Sequence, residues 1–188
     1  MRLAYINAQS STDSGYESEV IERITTRRSP HGLLALDLTL LSSPAVADRW
    51  NTFFAAVQTQ TTLPVIFREI VICRVALINE AWYQWEGHTP LLRSCQNFDE
   101  GKMETVKMAK PCAQGPLSDQ EWAVLRYADA VTREVAVDDG TFEGLKVVGF
   151  SNRDIVELTV IIAAYNCVSR VLVALDVGEK NAAEKRNI

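Results

Sequence analysis

Histidine is scarce in this 188-residue chain: His31 and His88 are the only two. Close cysteine pairs are missing as well, since Cys73, Cys95, Cys112 and Cys167 are too far apart for a zinc knuckle or a redox dithiol. A tetrahedral metal site would need scattered residues, so no metal is expected, and the thiols read as reduced and structural, Cys73 and Cys167 in apolar surroundings. Basic residues are outnumbered, 19 against 24 acidic, for a net charge of −5. That balance speaks against nucleic acid as the main partner, and Arg27-Arg28 is too short a patch to reverse it. Alternating strand patterns are sparse. The start, Met1-Arg-Leu-Ala-Tyr-Ile-Asn7, holds no apolar stretch long enough for a signal peptide. The longest apolar segment, Thr159 to Val173, is broken by Asn166 and Arg170 and reads as a buried helix rather than a membrane span. A single all-α domain over 1–188 in the cytoplasm is expected, with a helical extension over 1–43, a core over 44–178 and a polar tail over 179–188.

What is present is helix after helix with short connections. Ser14 to Arg27 is amphipathic through Val20, Ile21 and Ile24. Ser29-Pro-His-Gly32 is a turn that leaves His31 in solvent, and Asp37 in the apolar run Leu33 to Leu41 is expected to cap a neighbouring element. Ser43 and Pro44 open a helix to about Thr59. Thr62 and Pro64 open one reaching Asn79. Ala81 to Ser94 follows, with Pro90 placed to kink or shorten it. Asp99 caps a helix over Glu100 to Ala109, and Ser118 with Glu121 forms a capping box for one running to Val135. Asp138-Asp-Gly140 reads as a turn before a short helix ending at Gly149. Ser151 with Asp154 opens a long last helix that is apolar on more than one side, which suits a central position or a subunit interface. A homo-oligomer is expected.

Glu69 lies in the apolar stretch Ile66 to Ile72, where a carboxylate is costly unless paired; Arg68, Arg74 or a neighbouring helix could supply the partner. His88 follows nineteen residues later. One unbroken helix would hold the two about 28 Å apart at about 1.5 Å of rise per residue, so they meet only if the chain reverses. Asn79-Glu80 is the place for that reversal, because Asn tolerates the left-handed conformation that ends helices. The result would be a central helical hairpin carrying a carboxylate–imidazole pair, and an imidazole with an unperturbed pKa of about 6.5 exchanges protons near neutral pH.

Four segments carry a resemblance over nearly the whole chain: Leu63-Pro with Arg68-Glu69-Ile-Val-Ile72; Tyr83-Gln-Trp-Glu-Gly-His88; Leu117-Ser-Asp-Gln-Glu121 followed by Arg126-Tyr-Ala-Asp-Ala-Val131; and Tyr165-Asn-Cys-Val-Ser-Arg170 running on to Ala174-Leu-Asp-Val177. In this order they resemble the carboxymuconolactone decarboxylase family, which shares its helical core with alkyl hydroperoxidase D. The resemblance implies an AhpD-like helical domain with a long buried C-terminal helix. It also implies a cofactor-free acid–base enzyme, a decarboxylase-like lyase or a related isomerase or cyclase, acting on a small carbonyl, lactone or polyketide-like carboxylate. His88 would exchange the proton and Glu69 would orient it, with Tyr83, Gln84, Trp85, Arg74 and Asn166 as substrate-binding candidates. Peroxidatic relatives carry a Cys-x-x-Cys whose second cysteine lies four residues before the histidine. Those positions here are Ala81 and Gln84, so dithiol peroxide reduction is not expected.

Other readings stand beside these. Structural pairing is the favoured role for Arg74 and core filling the commoner one for Tyr83 and Trp85, while Asn166 suits bracing the hairpin. The whole chain could be a binding-only oligomer, or could keep a redox role at an exposed, acidic thiol of Cys73 or Cys167.

Overall fold

The computed structural model describes residues 1–8 and 15–181. All regular structure among them is helical: α1 (Gly15–Arg28), α2 (Ala35–Leu40), α3 (Pro44–Thr59), α4 (Val65–Ile78), α5 (Trp82–Arg93), α6 (Glu100–Lys107), α7 (Asp119–Glu134), α8 (Asp139–Val147), α9 (Asn152–Leu175) and a 3-10 turn, Val177–Glu179. Ser14, the expected start of the first helix, lies outside the described residues, as does most of the polar tail.

The chain divides into two compact units. One spans Met1–Thr61 with Leu175–Glu179, the other Thr62–Ala174 with the residues from Lys180. In the first, α3 packs on α1 and α2, so the helix that opens at Pro44 joins the N-terminal helices rather than starting the core. Its centre is Val20, Ile24, Leu41 and Ala47. Asp37 accepts from Arg28 through both oxygens, at 2.7 and 2.8 Å, and from the backbone N–H of Leu34 at 2.9 Å. The odd charge in that apolar run thus caps its own helix and ties it to α1.

In the second unit α4 packs on α5, α6 and α7. Residues Ile70 to Ala76 are all buried, so α4 is wrapped on every side, as an all-round apolar helix must be. The chain reverses after it at Asn79-Glu80, but the left-handed residue is Glu80, at φ 52, while Asn79 keeps an ordinary φ of −89. Asn79 serves differently: its side-chain amide donates to Asn166 Oδ1 at 3.0 Å and Ser169 Oγ at 2.7 Å on α9.

Capping follows the sequence signals. Asp99 accepts from the N–H of Lys102, and Ser118 and Glu121 complete a reciprocal box at the start of α7. Asp138 caps α8, which draws Asp139 and Gly140 into the helix instead of the turn. Ser151 and Asp154 bond reciprocally at the head of α9. Pro90 does not stop α5, which runs on to Arg93.

The last helix, α9, is 24 residues long with a mean hydropathy of 1.9 in its apolar window, enough by length and composition to cross a membrane; half of that window is buried in the fold. Ile155, Leu158, Ile161, Ile162, Tyr165, Val168 and Leu172 form the inward face. Val156, Val160, Ala163, Cys167 and Ala174 are exposed. The apolar surroundings expected for Cys167 are therefore missing: it lies on the exposed stripe, whereas Cys73 is buried.

Candidate active site on the α4–α5 hairpin

Because α5 returns alongside α4, Glu69 and His88, nineteen positions apart in the chain, come into contact. His88 Nδ1 stands 2.7 Å from Glu69 Oε2. An ionised carboxylate can only accept, so Nδ1 carries the hydrogen and donates it. The other carboxylate oxygen faces Arg68 Nε at 3.5 Å. Of the three partners open to Glu69, it takes Arg68 and the neighbouring helix, not Arg74. The Glu69 side chain is 4% exposed and that of His88 18%, so the carboxylate is the buried anchor and the imidazole reaches outward. The Tyr165 ring meets the imidazole edge-on, with centroids 5.2 Å apart and planes at 87°, and packing of this kind holds a ring orientation. Among the described residues, His88 Nε2 has no hydrogen-bond partner, which leaves it as the nitrogen able to exchange a proton with a bound molecule.

Gln84 lies one turn before His88 on the same face of α5. It is buried, and its amide nitrogen donates to the carbonyl of Ile72 at 3.0 Å. That bond orients the amide and leaves Oε1 buried with no partner. A buried acceptor left unsatisfied costs roughly 1–3 kcal/mol. Trp85 and Tyr83 are both half-buried. Trp85 shares the His88 face by three-residue spacing; Tyr83, five residues away, is turned about 140° around the helix.

Two of the substrate-binding candidates are committed to the framework. Arg74 is fully buried and spends its guanidinium on Asp129, at 2.7 and 2.6 Å, and on the carbonyls of Val106 and Met108, at 2.6 and 2.7 Å. No donor faces a ligand, because the charge can be buried only when its N–H groups are satisfied. Asn166 accepts from Asn79 and Arg170 and donates to Thr132 Oγ1 and the Ile162 carbonyl. It braces the hairpin turn against α7 and α9.

Tyr165 is a neighbour of the pair that was not among the sequence candidates; its signal was its place at the head of the segment Tyr165 to Arg170, which carries part of the resemblance. The Cys73 thiol is pushed well up by burial, with the Glu69 charge adding to the effect. Cys95 is raised for the same two reasons. Such thiols resist becoming the thiolates that redox chemistry needs. Among the described residues, no three histidine, cysteine, aspartate or glutamate side chains converge as metal ligands would.

Fold and site together define a class: an all-helical protein with a carboxylate–imidazole pair clamped between the two helices of an antiparallel hairpin. Three solved structures share the helical fold. One is a protein of unknown function from Agrobacterium tumefaciens, proposed to be the antioxidant defence protein AhpD, with 26% identity, a TM-score of 0.65, and coverage of 73% of this chain and 92% of that one. A second is an uncharacterized peroxidase-related protein from a Silicibacter species, at 18% identity, a TM-score of 0.74 and coverage of 88% and 86%. The third, from Ralstonia eutropha, is an uncharacterized peroxidase-related protein with an alkylhydroperoxidase AhpD core, at 18% identity, a TM-score of 0.75 and coverage of 94% and 90%. No protein-family model and no curated protein matches the chain. The chain has the AhpD-like fold.

Proposed function

We propose that this protein is a cofactor-free acid–base enzyme of the decarboxylase-like lyase type, acting on a small carbonyl, lactone or polyketide-like carboxylate. The observation that carries the reading is the 2.7 Å contact between His88 Nδ1 and Glu69 Oε2, with Nε2 left open. In a decarboxylation the bond between the carboxylate carbon and the α-carbon breaks and carbon dioxide leaves. The electron pair is held as an enolate, and the imidazolium delivers its Nε2 proton to carbon. Glu69 stabilises the cationic ring before that transfer and keeps Nε2 aimed outward. Gln84 Oε1, one turn from His88, is buried and unpaired, and a substrate hydroxyl or N–H that reached it would be favoured. The half-buried Trp85 supplies apolar wall.

The peroxidase-related names of the neighbours raise a thiol alternative. Against it stand Ala81 and Gln84 in place of the dithiol and the raised Cys73 thiol. An isomerase or cyclase on a related molecule would use the same pair. The exposed apolar stripe of α9, with Val156 62% and Val160 39% exposed, supports self-association, which is also the setting for a binding-only oligomer. A cytoplasmic location is part of the proposal.

The test is turnover of β-keto, lactone and aromatic-polyketide carboxylates followed by mass spectrometry, with wild type and His88→Ala. Conversion that disappears in a folded His88→Ala protein, with loss of the mass of carbon dioxide from substrate, is the expected result. Conversion that survives the substitution would sink the scheme.

A further inference from the structure

The helices α7 and α8 frame a cavity of about 350 Å³, lined by Gln114, Asp119, Trp122, Arg126, Gly144 and Val147 among others. Neither Glu69 nor His88 lines it. Its volume falls in the range of small-molecule sites, about 300–1,000 Å³.

Three features of the lining point to an occupant. Gly144 sits inside α8, where glycine costs roughly 1 kcal/mol relative to alanine. Packing does not require it, because a Cβ built there meets nothing within 4 Å; the missing side chain keeps the cavity open. Arg126 is the second feature. Arg74, Arg93, Arg133 and Arg153 of the same unit each hold a carboxylate or carbonyl, while the exposed Arg126 guanidinium, like those of Arg2 and Arg49 in the other unit, makes no hydrogen bond or ion pair among the described residues. Third, Trp122 is half-buried four residues before Arg126, on the same face of α7, and among the described residues its indole N–H is also unbonded. The acidic group of the lining, Asp119, accepts from Gln114 at 2.9 Å. It lies seven residues before Arg126, about 10 Å along the helix axis.

An apolar slab with a free guanidinium at one end and the carboxylate kept at the other fits a particular chemistry. We propose that this cavity is a binding site for a small aromatic monocarboxylate. Its carboxylate seats in the Arg126 fork and its ring lies against Trp122 and Val147. A doubly charged phosphate fits less well, since the lining offers one cation. The site stands independently of the acid–base reading of the α4–α5 hairpin.

Isothermal titration calorimetry with phenylbutyrate and indole-propionate tests it on the full chain, with phenylbutanol and phenylbutylamine as controls. Arg126→Gln removes an exposed side chain and leaves the core untouched. Gly144→Leu fills the cavity while favouring the helix, and a circular-dichroism melt verifies that both variants fold. The expected result is saturable one-to-one binding of at least one of the two acids. That binding weakens about tenfold or more in Arg126→Gln and disappears in folded Gly144→Leu, with the alcohol markedly weaker. Absence of saturable binding by both acids, binding unchanged in both variants, or equal binding of the alcohol or the amine would overturn the proposal.

Discussion

Glu69 and Arg74 stand five residues apart on α4, and each is a buried charge paired with a residue on another helix, yet the two pairs are finished to different degrees. Arg74 takes both oxygens of Asp129 and two backbone carbonyls, and nothing of it reaches solvent. Glu69 takes one nitrogen of His88 and a long contact to Arg68, and around it His88 Nε2 and Gln84 Oε1 are left over. A buried charge with a partner on every nitrogen is a strut that locks α4 to α7 and to the C-terminal end of α6. A buried charge with spare valence beside it is poised to bind and move protons. One helix thus carries both kinds, and satisfaction of hydrogen bonds, rather than charge or burial, separates them.

The sharpest way to break this contrast is to damage the strut. Arg74→Met strips the part-buried Asp129, 18% exposed, of its main partner, leaving Arg133 at 3.9 Å, and unpairs the Val106 and Met108 carbonyls. It is expected to cost about 3 kcal/mol in urea unfolding, whereas Arg74→Met with Asp129→Leu should recover part of the loss. A single variant as stable as wild type would mean that Arg74 is not structural. His88→Gln, whose amide can still donate to the buried Glu69 carboxylate, is expected to do the reverse, lowering kcat/KM about 100-fold or more while costing no more than about 1–2 kcal/mol of stability. If the melting loss matched that of Arg74→Met, the site pair would be a strut as well.

Gln84→Met sharpens the point, because it removes an unsatisfied acceptor. Its unfolding free energy should stay within about 1 kcal/mol of wild type or rise, with the change appearing in substrate KM. A loss of more than about 2 kcal/mol would show that the bond to the Ile72 carbonyl matters more than the orphan oxygen.

Thiol reactivity gives the smallest effect. Since burial raises the Cys73 thiol, it stays protonated through the neutral range and gains thiolate only as pH climbs into strongly alkaline values. In the native protein Cys112 and Cys167, both exposed, should alkylate first and Cys73 only after unfolding, as peptide mass spectrometry after iodoacetamide would read. Rapid native labelling of Cys73 at neutral pH would reopen thiol chemistry in the hairpin.

Local signals in the chain were strong where the physics is local. The Ser118–Glu121 box, the Asp99 cap and the Pro44 start involve groups within four residues of each other, so their partners are written side by side. The hairpin was legible because an apolar stretch that size cannot hold a lone carboxylate, and because four segments resemble one family in order. The left-handed residue was less so: Asn79 looked like the cap, but its amide is drawn to Asn166 and Ser169 on α9, and Glu80 takes the turn instead.

The all-helical pattern and most of the helix starts were legible in the sequence, and so was the need of Glu69 for a partner, with His88 one of those open to it, since periodicity, capping and the cost of an isolated charge act over short distances or single residues. Only the tertiary structure decided which polar groups remain available. Arg74 and Asn166 stand open between ligand and framework until partners 55 and 34 positions away absorb them, and Cys167 looks buried until one face of α9 is left outside. Availability is a property of what packs against a side chain, and that depends on contacts between helices that no local pattern encodes.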